Sequence, residues 1–138
     1  MNLKEFAEVI LYGTSLDEKC LSREIIDSPS SKELFKGGII QTPQFPGRPP
    51  ELAKGGKASF PALARLHEPQ VRGQVLHFFA NHELLAIELM ALVILKFPDA
   101  PPSFLAGVVA TIREEQTHLR LYIQRMSEVG VTFGDLPV

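Results

Sequence analysis

The fold is decided by residues 70–97, which read QVRGQVLHFFANHELLAIELMALVILKF. No proline interrupts this segment, so the simplest interpretation is one α-helix of about 26 residues, or 40 Å at 1.5 Å per residue. The stretch FPDAPP at 97–102 ends it, and a second helix is predicted from about 103 to 129, before Gly130. Two long helices joined by a short proline turn predict an antiparallel hairpin.

Two further segments precede the hairpin. Residues 3–12 carry apolar side chains at positions 3, 6, 7, 10 and 11, which is the period of a helix, and Gly13 ends it. Prolines and glycines crowd the arm 28–69, so it is predicted to contain neither a helix nor a central strand, and its residues 43–50 are predicted to be extended. The arm is expected to pack along the helical body through its apolar side chains, which are Phe35, Ile39, Ile40, Phe45 and Phe60.

These segments predict one all-α domain over residues 1–138. Its parts are an N-terminal helical segment at 1–27, the arm at 28–69 and the helical hairpin at 70–130. No segment alternates apolar and polar residues with the period of a strand, and no internal repeat is visible.

Composition excludes several classes of protein. Fourteen Lys and Arg against sixteen Asp and Glu give a net charge of −2, so binding to nucleic acid is not expected. The single cysteine, Cys20, rules out an intramolecular disulfide.

The N-terminus lacks the basic and apolar run of an export signal, which predicts a cytoplasmic location. The apolar run 84–95 is interrupted by Glu88 and is shorter than the roughly 20 residues of a membrane span.

The second helix contains Glu-x-x-His, with Glu115 and His118 three residues apart. At that spacing both side chains lie on one face of a helix and can reach one metal ion. On the first helix, Glu83 and Glu88 stand among apolar residues, where a carboxylate must be paired, protonated or bound to a metal. Di-iron and di-manganese bundle proteins take one Glu from each of two helices and Glu-x-x-His from each of the other two. The sequence contains one such Glu and one Glu-x-x-His.

Glu83 is the preferred ligand of the first helix. Glu83 and Glu88 are about 140° apart around the helix, so both cannot point at one centre. Glu83 shares a face with Phe79 and Met90. Glu88 is then expected to support the site or an interface by holding Arg113 or Arg120. The predicted metal ligands are therefore Glu83, Glu115 and His118, and the donor set favours iron or manganese.

Three other residues are candidates for supporting roles. His82 is turned about 100° around the helix from Glu83. It is therefore expected to hydrogen-bond a metal ligand or to act as a capping group, and not to bind the metal itself. Glu114, four residues before His118, either orients that histidine or faces solvent. Tyr122 lies one turn after His118 and either hydrogen-bonds a ligand or packs as a core aromatic. His77 is interpreted as a core or interface histidine.

A second hypothesis makes the chain a helical-hairpin interaction module. Glu83, Glu88 and Glu115 would then be buried partners of Arg113 or Arg120, and the apolar face would bind a second copy or another protein. Convergence of Glu83, Glu115 and His118 on one point favours the metal hypothesis, whereas an arginine at each carboxylate favours this one. Iron storage is a weaker third option, because it needs a hollow shell of many subunits.

Several blocks of the sequence resemble one family. HELLAIELM at 82–90 and EEQTHLRLY at 114–122 carry the resemblance, together with FPDAP at 97–101 and GDLPV at 134–138. LYGTSLDEK at 11–19 and PGRPP at 46–50 add to it. Together they resemble the uncharacterised ferritin-like family catalogued as domain of unknown function 455.

This resemblance implies a ferritin-like bundle with a carboxylate-bridged two-metal site, related in architecture to bacterioferritins, rubrerythrins and the tRNA-hydroxylating di-iron enzymes. Glu83 matches the lone helix glutamate, and Glu115 and His118 match the Glu-x-x-His pair. The family supplies no activity to transfer. The carboxylate and imidazole ligands themselves favour activation of oxygen or peroxide, followed by oxidation or hydroxylation of an unknown small-molecule substrate.

Family members usually continue past the Gly-Asp-Leu-Pro motif, where the second Glu and second Glu-x-x-His would lie. Three expectations follow. The chain is a fragment whose C-terminal half completes the bundle, a short form that builds the site as a homodimer, or a degenerate half without metal.

Overall fold

Only helices make up the regular structure of residues 1–25, 41–53 and 55–138, which are the residues that the computed structural model describes. The helices are α1 (Leu3–Tyr12), α2 (Leu16–Lys19), α3 (Pro50–Ala53), α4 (Pro69–Lys96) and α5 (Pro102–Glu128), with a 3-10 turn at Leu63–Arg65. The predicted all-α class and the long hairpin, now α4 and α5, are confirmed. Both hairpin helices begin and end within one residue of the predicted positions.

Prolines and a glycine set the ends of the hairpin helices. Pro69 and Pro102 lie in the first turns of α4 and α5. Backbone N–H groups in a first turn have no acceptor within the helix, so a proline there costs no helical hydrogen bond. Pro98 prevents α4 from continuing past Lys96. Gly130 follows α5 with a φ of 78°, a backbone conformation that favours glycine.

The core lies between α4 and its two neighbours. α5 packs along α4, and α1 packs against another side of the same helix. The fully buried apolar side chains at these contacts include Phe6, Ile10, Leu84, Ile87, Ala91, Ile94, Ile112, Leu119 and Met126. By length and composition α4 could also cross a membrane, a property that core helices of soluble proteins share.

The arm crosses the C-terminal end of α1 at Gly47. The Gly47 N–H donates to the Leu11 carbonyl at 2.9 Å. A Cβ at this position would lie 2.1 Å from the Tyr12 carbonyl oxygen, so the approach requires glycine. Leu52, on α3, is buried beyond this crossing. The prediction that the arm contains no helix is therefore wrong for Pro50–Ala53.

The aromatic residues of the arm behave differently from one another. Phe60 packs edge-on against Phe78 and Phe79 of α4, with ring centroids 5.2 and 6.0 Å away. Phe45 is 74% exposed, so the expectation that it packs on the helical body is wrong. The expectation for Phe35, Ile39 and Ile40 lies outside the described residues.

A buried ion cluster fastens α2 and the arm to α4. Glu88 of α4 is 3% exposed and accepts hydrogen bonds from Arg48 Nη2 at 2.5 Å and Nε at 3.1 Å. Lys19 Nζ lies 3.0 Å from the same carboxylate and donates to the Ile10 carbonyl at 2.7 Å. Burial lowers the pKa of Lys19, and contact with Glu88 opposes this effect.

Glu88 therefore has partners other than those predicted. Arg113 donates to the carbonyl of Arg23, and Arg120 donates to the carbonyl of Cys20. The expectation that Glu88 holds one of these two arginines is wrong. The cations that reach Glu88 come from α2 and from the arm, which are the segments covering its side of α4.

Replacing Glu88 with alanine is expected to lower the free energy of unfolding by about 3 to 5 kcal/mol, because it leaves two buried cations without a counter-charge. Urea denaturation followed by circular dichroism measures this loss. The matched control is Glu114→Ala on α5, whose side chain is exposed, with an expected change within about 0.5 kcal/mol. Equal stability losses in the two variants would contradict a structural role for the cluster.

The C-terminal segment folds back onto α4 at His77, as its interpretation as a core histidine predicts. His77 is 1% exposed, and its ring packs edge-on against Phe133. Its Nε2 accepts hydrogen bonds from the backbone N–H groups of Gly134 at 3.0 Å and Leu136 at 3.4 Å. An accepting Nε2 requires the neutral ring, so protonation of His77 removes both contacts.

Burial lowers the pKa of His77, and the Asp135 carboxylate opposes this only in part. The unfolded chain, with its ordinary histidine pKa of about 6.5, therefore binds a proton more readily than the folded chain. Above that pH His77 makes its whole contribution to the free energy of unfolding. The contribution is lost as the pH falls towards the lower pKa that His77 has in the folded chain. The free energy of unfolding, measured by urea denaturation, is expected to fall between about pH 7.5 and about pH 5.5. This fall should be smaller for His77→Gln than for the wild type.

The control for this measurement is His67→Gln. His67 is exposed, so its replacement should keep the pH dependence of the wild type. The same pH dependence in the wild type and the His77→Gln variant would refute this account of the C-terminal contact.

Candidate metal centre

Three side chains from α4 and α5 converge near the middle of the hairpin. Glu83 lies halfway along α4, and Glu115 and His118 lie on one face of α5. The His118 Nδ1 atom is 3.3 Å from Glu115 Oε2 and 3.9 Å from Glu83 Oε2. One ligand atom from each residue lies within 4.8 Å of the other two. The structure thus brings together the three residues predicted as metal ligands.

The cluster lies at the surface of the hairpin, with unequal exposure. The side chains of Glu83 and Glu115 are 19% and 22% exposed, and that of His118 is 52% exposed. Two carboxylates that are partly withdrawn from water repel each other, because water screens their charges less. A cation bound between them would stabilise both. Carboxylate oxygens with one imidazole nitrogen form a donor set that suits iron or manganese.

An aromatic pair closes one end of the cluster. Phe79 lies one turn before Glu83, and Tyr122 lies one turn after His118, so both point to the same end of the site. Their rings stack with centroids 6.2 Å apart and planes 23° apart. Tyr122 is half-buried and packs against the core, as its interpretation as a core aromatic predicts. The sequence predicted that Phe79 shares a face with Glu83, but it did not predict that Phe79 stacks on Tyr122.

The other candidate residues do not join the cluster. Glu88 is engaged by Lys19 and Arg48, so its predicted supporting role at the site is wrong. Nδ1 of the exposed His82 donates to the Phe78 carbonyl at 2.9 Å. Glu114 is exposed, in line with the alternative that it faces solvent.

The ion-pairing hypothesis predicted an arginine at each carboxylate. Within the described ranges, no arginine lies within ion-pair distance of Glu83 or Glu115, and both carboxylates approach His118 instead. Arg113 extends over the ring of Phe6, 5.4 Å from its centroid, and donates to a backbone carbonyl. The arginine predicted to pair with these glutamates therefore points to the α1 side of the hairpin.

Comparison with known proteins gives one match. A family profile described as Protein of unknown function (DUF455) matches residues 13–138, which include the arm, both hairpin helices and the C-terminal segment. The chain belongs to this family. The resemblance seen in the sequence is thereby confirmed, and the DUF455 match contains all three residues of the cluster.

Curated proteins and solved structures add nothing to this assignment, since no member of either set matches the chain. The description of DUF455 names no activity.

Proposed function

We propose that this chain is a ferritin-like metal-binding domain in which Glu83, Glu115 and His118 hold iron or manganese for oxygen-dependent oxidation or hydroxylation. The observation that carries the proposal is the approach of three ligand atoms, from two helices, to within 4.8 Å of one another. One Glu on one helix and Glu-x-x-His on its neighbour is half of the ligand set of di-iron and di-manganese bundle proteins.

Each residue of the cluster has a distinct part in this proposal. Glu83 and Glu115 supply negative charge, which favours the higher oxidation state of a metal. His118 offers Nδ1, the ring nitrogen that already faces both carboxylates. When bound, iron or manganese supplies redox chemistry with oxygen or peroxide. The stack of Phe79 on Tyr122 places apolar surface at one end of the site.

A second candidate function is a non-catalytic interaction module with a degenerate site. The observation in its favour is the set of large apolar side chains that the two long helices leave exposed, such as Leu85, Leu89 and Leu121 at 46%, 60% and 58%. Contiguous exposed apolar surface commonly marks an interaction site. This function requires no metal, so metal content separates the two candidates.

The chain reconstituted anaerobically with Fe(II) and desalted is expected to retain about one iron per chain, half of a dinuclear site. The double variant Glu115→Gln with His118→Ala removes two of three ligands and should lower retained iron by about tenfold or more. Elemental analysis measures the iron, and circular dichroism checks that the variant is folded.

The matched control is Glu114→Gln, which removes a neighbouring exposed carboxylate of the same helix and should leave iron content unchanged. Equal iron in the wild type and the double variant would eliminate the proposed site. Equal loss in the control would indicate that iron adheres to acidic surface instead.

A further inference from the structure

A cleft lies between α4, the arm and the C-terminal segment that follows α5. These three segments supply its lining, which consists of residues 58–59, residues 136–137, Gln74, His77 and Phe78. Its volume is about 100 Å³. On α4, His77 precedes Glu83 by six residues and so lies about 120° around the helix from it. The cleft is therefore a separate place from the proposed metal centre.

Two glycines let the walls of the cleft come close together. A Cβ at Gly73 of α4 would overlap the Val131 side chain, and a Cβ at Gly56 of the arm would lie 2.9 Å from the Pro137 side chain. Glycine permits such approaches because it has no side chain. The C-terminal segment is thus in close contact with both α4 and the arm, and these contacts fix the shape of the cleft.

The ring of His77, which is 1% exposed, presents a hydrogen-bond donor to the cleft. Its Nε2 accepts from the Gly134 and Leu136 N–H groups, so the proton of the neutral ring is on Nδ1. No residue that the structure describes accepts a hydrogen bond from Nδ1. Every fully enclosed side-chain nitrogen or oxygen of the described residues has a partner, so Nδ1 is not enclosed by protein. Because His77 lines the cleft, the Nδ1–H group is an unused donor directed into it.

The rest of the lining combines uncharged polar groups with apolar surface. The Gln74 amide and the Ser59 hydroxyl can each donate or accept a hydrogen bond. Gln74 lies three residues before His77, so the two side chains are neighbours on one face of α4. Phe78 and Pro137 supply the apolar surface. A few polar groups among apolar walls are typical of a small-molecule site.

Charge and volume restrict what the cleft can bind. In the described part of the chain no charged side chain lines it, and the Asp135 carboxylate adds negative charge near His77. An anion would therefore lose water without gaining a counter-charge, so a neutral ligand is favoured. A volume of about 100 Å³ suits roughly five non-hydrogen atoms, since a cavity of about 150 Å³ holds benzene.

We propose that this cleft binds a small neutral amide. The amide carbonyl oxygen accepts from the His77 Nδ1–H group, the amide N–H donates to the side-chain oxygen of Gln74, and the apolar end of the ligand packs on Phe78. An amide carries an acceptor and a donor side by side, which matches a donor and an acceptor on neighbouring side chains of one helix. The inference does not rest on the proposed metal centre.

Nuclear magnetic resonance of the ¹⁵N-labelled full chain, titrated with propionamide at about pH 7.5, tests the inference. Long-range ¹H–¹⁵N spectra should assign the ring proton of His77 to Nδ1. Propionamide should shift the His77 Nδ1 resonance and the Gly134 and Leu136 amide resonances, and the shifts should saturate with a dissociation constant in the millimolar range, as expected for so small a ligand. Propionate has the same size but carries a charge, so its binding should be about tenfold weaker or more.

Two exposed alanines of the arm provide a matched pair of variants. Ala58 lines the cleft, whereas Ala64 lies in the 3-10 turn outside it. Both side chains are exposed, so both leucine variants should fold. Ala58→Leu fills part of the cleft and should weaken the binding of propionamide by about tenfold or more. Ala64→Leu should bind it like the wild type.

Several outcomes would overturn the inference. A ring proton on Nε2 would remove the donor from the cleft. Shifts that do not saturate, equal affinity for propionate and propionamide, or wild-type binding by Ala58→Leu would each exclude a built amide site. None of these measurements involves iron or manganese, so the inference and the proposed function fail separately.

Discussion

The burial of one carboxylate, Glu88, constrains the rest of the structure. An ionised carboxylate inside an apolar helix needs counter-charge, since its desolvation alone costs several kcal/mol. Lys19 and Arg48 supply it, each from a different segment. Because both cations must reach the same side of α4, α2 and the arm are fixed there. α1 follows, since the Lys19 ammonium also binds the Ile10 carbonyl at the end of that helix.

Glu83 has the opposite environment on the same helix. It lies on a different side of α4 from the Lys19 and Arg48 contacts, and His118 of α5 approaches it to 3.9 Å. Because the two glutamates are separated around the helix, Glu88 holds the fold together while Glu83 remains available to a ligand. The proposed metal site depends on this separation, because a cationic side chain at Glu83 would compete with a metal ion for that carboxylate.

Local pattern predicted the fold class, the helix bounds and the convergence of the cluster. Helix spacing places Glu115 and His118 together, and the short turn between α4 and α5 brings Glu83 to their level. The partners of Glu88 were not predictable in the same way. Arg48 is 40 residues from Glu88 in sequence, and no periodicity relates a proline-rich arm to one position of a helix. The nearby Arg113 and Arg120 were plausible on spacing alone, yet backbone carbonyls engage them.

The sequence by itself determined an all-α chain with a long hairpin, and it identified Glu83, Glu115 and His118 as a set, because helix periodicity and proline positions act over a few residues. The tertiary structure alone decided which glutamate is buried with cations and which one lies beside His118 at the surface of the hairpin. Those outcomes depend on how distant segments pack around one helix, and the free energy of a buried charge is set by that packing rather than by its neighbours in the chain.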